Sequence, residues 1–562
     1  MPRLLSPLIP VTLLAALLLL AAAAPSASQD AADLVLRHGR FYPVSSPGAV
    51  EGSLAVRDGA IRYLGPDSGV APWIGPETRV LELGGRAVTP GLIDAHSHLL
   101  GLGLALERVD LRGVDSFDEV VRRVVARAAE LPAGTWIQGR GWDQNLWPGK
   151  AFPAHQPLSE AVAEHPVWVT RIDGHAALVN SLAMRRLGID AASEDPPAGR
   201  LLRDDGGAPT GVLVDRAMEV YGARVPNPTP ADVGRALRAA ADHAASLGLT
   251  AVTDMGVGAE AVAAYRALLD EGMPVRAALF WSGDDPRLEQ WLAAGPWRDP
   301  SGLLSLRGVK LYADGALGSR GAALLEPYAD DPGNLGLVVT SGAELERLSL
   351  LALQRGFQVG IHAIGDRGNV LAVDAVEAAF GHQPRPEARF RIEHAQIVRR
   401  ADLERMGRLG ILASMQPTHA TSDMPWVPDR LGDHRLDRAY PWRTALDAGA
   451  RLALGSDFPV ELPSPLLGLY SAVTRQDPDG RPEGGWLPDE LLTREEALRG
   501  FTLDAAYSLF LDDLVGTLET GKRADLVVWD RDPMQVPAAQ VPGARVDWTV
   551  MDGRVVYQRQ GE

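Results

Sequence analysis

Short apolar runs alternate with helical patterns through the middle of the chain. Eight of these runs have the length and composition of buried strands: LIDAHSH, LTAVTDMG, VRAALFWS, GVKLYADG, QVGIHAIG, RFRIEHAQ, ILASMQPT and RLALGSDFP. Between most of them, segments such as DVGRALRAAADHAASL repeat apolar residues at helical spacing. This alternation predicts an α/β fold, a (β/α)₈ TIM-type barrel over residues 91–510, whose active site would lie at the C-terminal strand ends.

Both ends of the chain carry shorter β-rich runs that are broken by Gly, Pro and Asp. Examples are GSLAVRDGAIRYLG near the N-terminus and ARVDWTVMDGRVVYQ near the C-terminus. Such spacing is typical of hairpins. We therefore expect one small composite β-sandwich, built from residues 29–90 and 511–562, beside the barrel.

A long insertion, about residues 104–240, separates the first and second barrel strands. It is too long for an ordinary loop, so we expect it to have structure of its own. Within it, GTWIQGRGWDQNLW and PVWVTRIDGHAALVNS are strand-like segments that end in aromatic, acidic and imidazole groups. The prediction is a cap over the barrel mouth.

The N-terminal segment, residues 1–28, is typical of a signal peptide. Arg3 precedes the apolar run VTLLAALLLLAAAA, and small residues follow it. The alternative is an uncleaved anchor, but Pro7 and Pro10 leave fewer than the ~20 apolar residues that a spanning helix needs. We expect an exported protein, periplasmic or secreted, with no stable membrane insertion after signal removal.

The composition of the chain limits the classes of partner and metal ligand that we expect. The chain has 562 residues, 46% of them hydrophobic, and a formal net charge of -17 without a Lys/Arg-rich run, which disfavours nucleic acid. It contains no cysteine, so disulfides and thiolate ligands are excluded, and a metal site would need nitrogen and oxygen donors. A small molecule is the expected partner, and a homo-oligomer stays open.

Six candidate metal ligands lie at or near the ends of the predicted barrel strands. Alone, a His pair on a strand is more often structural, and a single lysine is more often solvated or salt-bridged. Together at strand ends, in chain order, they favour a metal centre. They are His96, His98, Lys310, His362, His394 and Asp457.

The motifs that carry these residues resemble the amidohydrolase superfamily. The segments are PGLIDAHSHL, GVKLYADGALGSR, HAIGDRGN, RIEHAQ and LGSDFPV. With RIDGHAALVNS and PTGVL, they resemble its YtcJ-like branch, which includes N-substituted formamide deformylases. The resemblance spans about residues 33–558. It implies a divalent-metal hydrolase in which metal-activated hydroxide is the nucleophile.

The chemistry assigns the ligands to one or two divalent ions, with zinc the expected metal and manganese, nickel, cobalt or iron compatible. His96, His98 and Asp457 would hold one ion, and His362 and His394 a second. A protonated lysine cannot ligate, so Lys310 would bridge them as a carbamate formed with carbon dioxide. The alternative is a mononuclear site with an unmodified lysine.

Asp457 is the expected general base and acid, since it could take a proton from the attacking water and deliver it to the leaving nitrogen. This predicts hydrolysis of a non-peptide C–N bond in a small amide or formamide. The alternatives are an esterase or isomerase on the same fold, or an exported binding protein with a metal site and no turnover.

Two residues of the insertion are candidates for substrate contact. His175 could instead be a turn residue, and Trp142 could serve packing, which is the commoner role of a buried aromatic ring. The other histidines receive no functional assignment, although His419 follows a predicted strand end.

Overall fold

The structure of the protein is a computed structural model that describes residues 31–171, 174–197 and 199–560. The segment assigned above to a signal peptide lies outside these residues. Within them, we find no helix with the length and apolar character needed to cross a membrane.

The central domain is the predicted barrel. Its eight strands are all parallel and are hydrogen-bonded in chain order. Two backbone hydrogen bonds close the sheet where its first and last strands end, from Ala95 N to Leu454 O (3.1 Å) and from Asp457 N to His96 O (2.7 Å). The strands are β6 (Leu92–Asp94), β13 (Leu249–Val257), β14 (Arg276–Ser282), β16 (Leu304–Tyr312), β17 (Gln358–Ala363), β18 (Arg391–His394), β19 (Leu412–Met415) and β20 (Leu452–Leu454). The two-residue strand β15 (Trp297–Arg298) pairs with β16.

The first barrel strand is shorter than predicted, because β6 ends at Asp94. The buried Asp94 carboxylate accepts hydrogen bonds from the backbone N–H (3.0 Å) and hydroxyl (2.6 Å) of Ser456. These bonds draw the chain toward β20. His96 and His98 therefore follow the end of the strand, although the apolar run LIDAHSH predicted a strand that includes them.

Helices cover the outside of the barrel, as the helical patterns predict. Helix α6 (Pro230–Ser246) begins with a capping box, in which Thr229 and Asp232 exchange side-chain to backbone hydrogen bonds. The helices outside the insertion are α1 (Leu99–Leu106), α6 (Pro230–Ser246), α7 (Ala259–Glu271), α8 (Leu288–Ala293), α9 (Gly342–Gln354), α10 (Asp366–Ala379), α11 (Arg400–Leu409), α12 (Pro417–Asp423), α13 (Val427–Leu431), α14 (Trp442–Asp447), α15 (Pro465–Thr474), α16 (Arg494–Gly500) and α17 (Leu503–Ser508).

The two chain ends form the predicted composite domain. Its strands belong to one connected eight-stranded sheet. Strand β1 (Leu34–Phe41) pairs with β4 (Arg79–Glu82) through its first half and with β5 (Ala87–Pro90) through its second half. His38, with φ +56°, lies where the pairing of β1 with β2 (Val50–Arg57) shifts register between Leu36 and Gly39. The strands are β1 (Leu34–Phe41), β2 (Val50–Arg57), β3 (Ala60–Gly65), β4 (Arg79–Glu82), β5 (Ala87–Pro90), β21 (Leu526–Trp529), β22 (Val546–Met551) and β23 (Arg554–Gln558).

The insertion has its own six-stranded sheet and its own apolar core. Helices α1 and α6, which flank it, pack on each other as part of the barrel; a Cβ on Gly103 would lie 2.0 Å from Ala236 O. The predicted bounds of the inserted domain, about 104–240, and its role as a cap stay predictions. Its elements are β7 (Val109–Asp110), α2 (Phe117–Ala128), β8 (Ile137–Trp142), α3 (Gln156–Ala161), β9 (Val167–Arg171), β10 (Ala176–Val179), α4 (Ser181–Leu187), β11 (Gly199–Arg203), β12 (Pro209–Asp215) and α5 (Arg216–Gly222).

Candidate metal centre

The fold brings the six predicted ligands to one place at the C-terminal end of the barrel. The His394 ring lies 4.7 Å from the His96 ring and 4.6 Å from the His362 ring, centroid to centroid. His98 Nε2 is 3.2 Å from Asp457 Oδ1. Residues that are up to 361 positions apart in sequence therefore share one cluster, although their role as ligands stays a prediction.

Local backbone geometry turns two of these side chains inward. His394 and Asp457 have φ values of +70° and +60°, in the left-handed region that is uncommon for residues other than glycine. Asp457 is held there by the bond from its N–H to His96 O, and His98 N donates to Phe458 O (2.9 Å). Both ends of the barrel sheet therefore position the carboxylate against the histidine pair.

Three of the candidate histidine ligands favour the neutral form. Burial lowers the pKa of His96 to about 4 and that of His362 to about 3, with Lys310 contributing to both shifts. The pKa of His394 falls well below its usual range for the same reason. Near pH 7 these imidazoles are neutral, which is the protonation state that binds a metal ion.

Lys310 is 1% exposed on β16. Its Nζ lies 3.3 Å from His96 Nε2, and it forms no ion pair within 4.0 Å among the described residues. Burial lowers the pKa of Lys310 to about 8, against the opposing charges of Glu393 and Asp457. A substantial fraction of the amine is therefore neutral and nucleophilic slightly above neutral pH.

The donor set fits a divalent cation. Burial alone would raise the pKa of Asp457, but the neighbouring His96 and His98 outweigh it and hold that pKa well below the usual range. Asp457 Oδ1 is buried and makes no hydrogen bond in the described part of the chain. A buried carboxylate oxygen without a donor, beside neutral imidazoles, is the environment that a bound cation would satisfy.

Sequence reasoning missed a buried pair below the cluster, Arg391 and Glu393. Glu393 Oε2 lies 2.7 Å from His96 Nδ1, and Arg391 binds both oxygens of Glu393 at 2.7 and 2.8 Å. Burial alone would raise the pKa of Glu393, but Arg391 and His96 keep it well below its usual range. The carboxylate thus fixes His96 with a proton on Nδ1 and Nε2 free. Two opposite charges at i and i+2 in a buried strand were the available signal.

His419, which received no functional assignment from the sequence, also joins the cluster. Its ring stacks on the His394 ring at 5.9 Å, and its Nε2 lies 3.7 Å from Asp457 Oδ2. His394, His419 and Asp457 form one of two groups in the described residues whose donor atoms are close enough to surround an ion; His96, His98 and Asp457 form the other.

The two predicted substrate contacts lie in the insertion. The His175 side chain is 74% exposed, and its Nδ1 is 3.1 Å from Asp215 Oδ1. Trp142 is fully buried in the insertion core, and its indole N–H donates to Val169 O. Trp142 therefore packs within the core of the insertion. Substrate contact by Trp142 and by His175 stays a prediction.

Comparison with known proteins agrees with this architecture. The model of the amidohydrolase family Amidohydro_3 matches residues 79–557. The chain is 35% identical to protein LONG AFTER FAR-RED 3 of Arabidopsis thaliana (90% of each chain) and 32% identical to the putative amidohydrolase YtcJ of Bacillus subtilis (93% of this chain, 99% of the relative). It is 29% identical to N-substituted formamide deformylase of Arthrobacter pascens (94% and 99%).

A solved structure extends the likeness to the fold. An uncharacterized metal-dependent hydrolase from Pyrococcus furiosus superposes with a TM-score of 0.73 at 32% identity, covering 89% of this chain and 100% of that one. The chain therefore belongs to the amidohydrolase family, in its YtcJ-like branch, and is a metal-dependent hydrolase.

Proposed function

We propose that the protein hydrolyses a non-peptide C–N bond in a small amide or formamide. The observation that carries the proposal is the juxtaposition of neutral histidines, a buried lysine and an ionised Asp457 with an unsatisfied oxygen. A relative of nearly the same length is named N-substituted formamide deformylase. The substrate would enter from the C-terminal side of the barrel, where the His98 side chain is 31% exposed.

His96, His98 and Asp457 would hold one divalent ion, and His362 and His394 a second. Such an ion supplies Lewis acidity, which lowers the pKa of a bound water to about 7 and polarises the substrate carbonyl. Glu393 would keep His96 in the ligating tautomer throughout.

Asp457 performs the proton transfers in this proposal. Its low pKa leaves it ionised at neutral pH, so it can take a proton as the water oxygen bonds to the carbonyl carbon. It then returns that proton to the leaving nitrogen as the C–N bond breaks. Water and amide give a carboxylic acid and an amine, with the carboxylate unchanged.

Lys310 would act as the carbamate bridge. The neutral amine attacks carbon dioxide, forms an N–C bond and releases one proton, which gives an anionic group with two oxygen donors. Burial beside Asp457 disfavours a second anion unless cations are present, so formation and metal binding should be coupled.

The test combines metal content, hydrolysis and labelled carbon dioxide. Protein purified without chelator should contain one or two ions per chain and release amine from N-substituted formamides or N-acyl amides. After metal removal, reconstitution under ¹³CO₂ should give one carbamate NMR signal. The chain has only three lysines, so Lys310→Ala, expected to lose the signal, pairs with Lys150→Ala, a change at an exposed lysine that should retain it.

Three results would contradict the proposal or one of its parts. Metal uptake with no hydrolysis across amides would refute C–N bond cleavage, and ester turnover alone would favour the esterase alternative. A carbamate signal that persists in Lys310→Ala would refute the bridge. Asp457→Asn should keep the fold and lose turnover; near-normal activity there would refute its role as base.

We further propose that the chain is exported and acts on its small-molecule substrate outside the cytoplasm. The support is the sequence pattern of residues 1–28 alone. Detection of the activity in the extracytoplasmic fraction, with an N-terminus near Ser28, would test it.

A further inference from the structure

His419 lies near the N-terminal end of α12, directly after the seventh barrel strand. It is 8% exposed, and its Nε2 is one of the few buried side-chain atoms without a hydrogen-bond partner in the described residues. Another such atom, Asp457 Oδ1, belongs to the same cluster. A buried polar atom without a hydrogen-bond partner destabilises a folded protein. Because His419 Nε2 lies beside the candidate metal centre, we expect a bound molecule or ion to supply its partner.

The hydrogen-bond partner of His419 Nδ1 determines whether Nε2 donates or accepts a hydrogen bond. The Gln396 side-chain amide nitrogen lies 3.2 Å from His419 Nδ1. An amide nitrogen only donates, so Nδ1 accepts and the proton of the neutral ring is on Nε2. A protonated Nε2 has no lone pair for a metal ion.

The orientation of His419 places this N–H next to the reacting groups. Nε2 is 3.7 Å from Asp457 Oδ2, the carboxylate oxygen on the side away from His98. The ring lies nearly parallel to that of His394, with an interplanar angle of 19°. A substrate carbonyl beside Asp457 would therefore have a hydrogen-bond donor directed at it.

We infer that His419 is a catalytic residue that donates a hydrogen bond from Nε2 to the carbonyl oxygen of the substrate; the inference rests on the proposed hydrolysis. As the water oxygen bonds to the carbon, the carbonyl π pair moves to the oxygen, and the negative charge there strengthens this bond. The proton stays on His419, since the proton of the water passes to Asp457. A fixed donor in a water-poor site stabilises such charge strongly.

Gln396 is a positioning residue in this arrangement. Gln396 is 5% exposed, and its backbone carbonyl accepts a hydrogen bond from Tyr440 N, which anchors the residue. If the group facing His419 Nδ1 accepted a hydrogen bond instead of donating one, the neutral His419 ring would carry its proton on Nδ1 instead of Nε2. In Gln396→Glu the carboxylate can only accept, so the ring proton would move to Nδ1 and the donor would be lost.

The experiment compares His419→Leu, His419→Gln and Gln396→Glu with wild type in metal content, cobalt-substituted absorption spectrum and steady-state kinetics. His419→Leu should keep the metal and the spectrum but lose roughly 10²–10³-fold in kcat. His419→Gln, which still carries a donor, should recover part of the loss, and Gln396→Glu should resemble His419→Leu. The matched control is His165→Leu, the same change at a histidine buried in the insertion, which should keep wild-type kcat.

Loss of metal or an altered cobalt spectrum in His419→Leu would overturn the inference in favour of a ligand. So would wild-type kcat in that variant, or no difference between the Leu and Gln variants. A second measurement, the binding of methylphosphonate to the cobalt protein, tests the His419 donor even if the proposed hydrolysis is wrong. Methylphosphonate is a tetrahedral anion, so it resembles the charged oxygen that His419 would contact. If wild type hydrolyses no amide, tenfold weaker methylphosphonate binding in His419→Leu alone would still support a donor, and equal binding would refute it.

Discussion

At the residue scale, burial determines which chemistry each polar side chain can perform. The same loss of water that makes His96 and His362 neutral also makes Lys310 a better nucleophile, because in each case the charged form is penalised. Asp457 and Glu393 are the exceptions, since His96 and His98 outweigh burial at Asp457, and Arg391 and His96 do so at Glu393. The result is a cluster with neutral bases and anions at neutral pH, before any metal binds.

These shifts predict that the metal-free protein loses stability on acidification. The pKa values of His96 and His362 are about 4 and about 3, below the unfolded value near 6.5. Between these values the unfolded chain binds more protons than the folded chain. The free energy of unfolding therefore falls from about pH 6.5 toward pH 4. Urea unfolding from pH 7.5 to 4.5, with chelator, measures this.

A variant isolates the contribution of one imidazole. His362→Gln should flatten the dependence by up to about 1.4 kcal/mol per pH unit, which is the limit for one proton. His434→Gln, at a side chain that is 65% exposed, should leave it unchanged. Parallel curves for His362→Gln and wild type would contradict the prediction.

At the element scale, the closure of the barrel between β6 and β20 positions the metal centre. Ser456 binds the Asp94 carboxylate, and the backbones of His96 and Asp457 are bonded to each other. Gly455 lies at the point of closest approach: a Cβ there would be 2.6 Å from both Asp94 Oδ1 and His96 N. Only a residue without a side chain allows the two strand ends to meet.

Gly455→Ala should therefore weaken both stability and metal binding. Forcing the ends apart in a packed core costs about 1–3 kcal/mol and moves His96 relative to Asp457. Urea unfolding and metal content check the two effects. The matched control is Gly234→Ala in α6, where the added methyl meets nothing within 4 Å and should raise stability by roughly 0.5–1 kcal/mol. Undiminished metal content in Gly455→Ala would contradict the role of this contact.

At the scale of the whole molecule, a buried ion pair joins the barrel to the composite sheet. Arg276, at the start of β14, makes two bonds to Asp525, at 2.7 and 2.9 Å. Both side chains are almost completely buried, at 0% and 1% exposure. The composite domain is in this way fixed to the barrel strands as well as joined to them by the chain.

Asp525→Asn should lower the free energy of unfolding by up to about 3–5 kcal/mol, because it leaves the buried guanidinium only its longer contact with Asp552, at 3.4 Å. The control is Asp513→Asn, at an ion pair with Arg298 in which the acid is 57% exposed, where we expect less than about 1 kcal/mol. Chemical denaturation of both variants gives the comparison. Equal losses would show that burial does not set the strength of these pairs.

The sequence alone determined the order of the barrel strands, the composite origin of the small domain and the ligand candidates at the strand ends. Each depends on a local pattern: apolar runs with helices between them, or a polar residue where a strand must stop. Since the C-terminal ends of parallel barrel strands meet on one face, proximity of residues as distant as His96 and Asp457 followed from the fold class.

Only the tertiary structure decided which neighbours those ligands have. Glu393 meets His96 across 297 positions, His419 turns toward Asp457, and Trp142 is enclosed by its own domain. The point where β6 ends was decided in the same way, by the bond between Asp94 and Ser456. No periodicity encodes such contacts, because they depend on which side chains of distant segments face each other after the barrel closes.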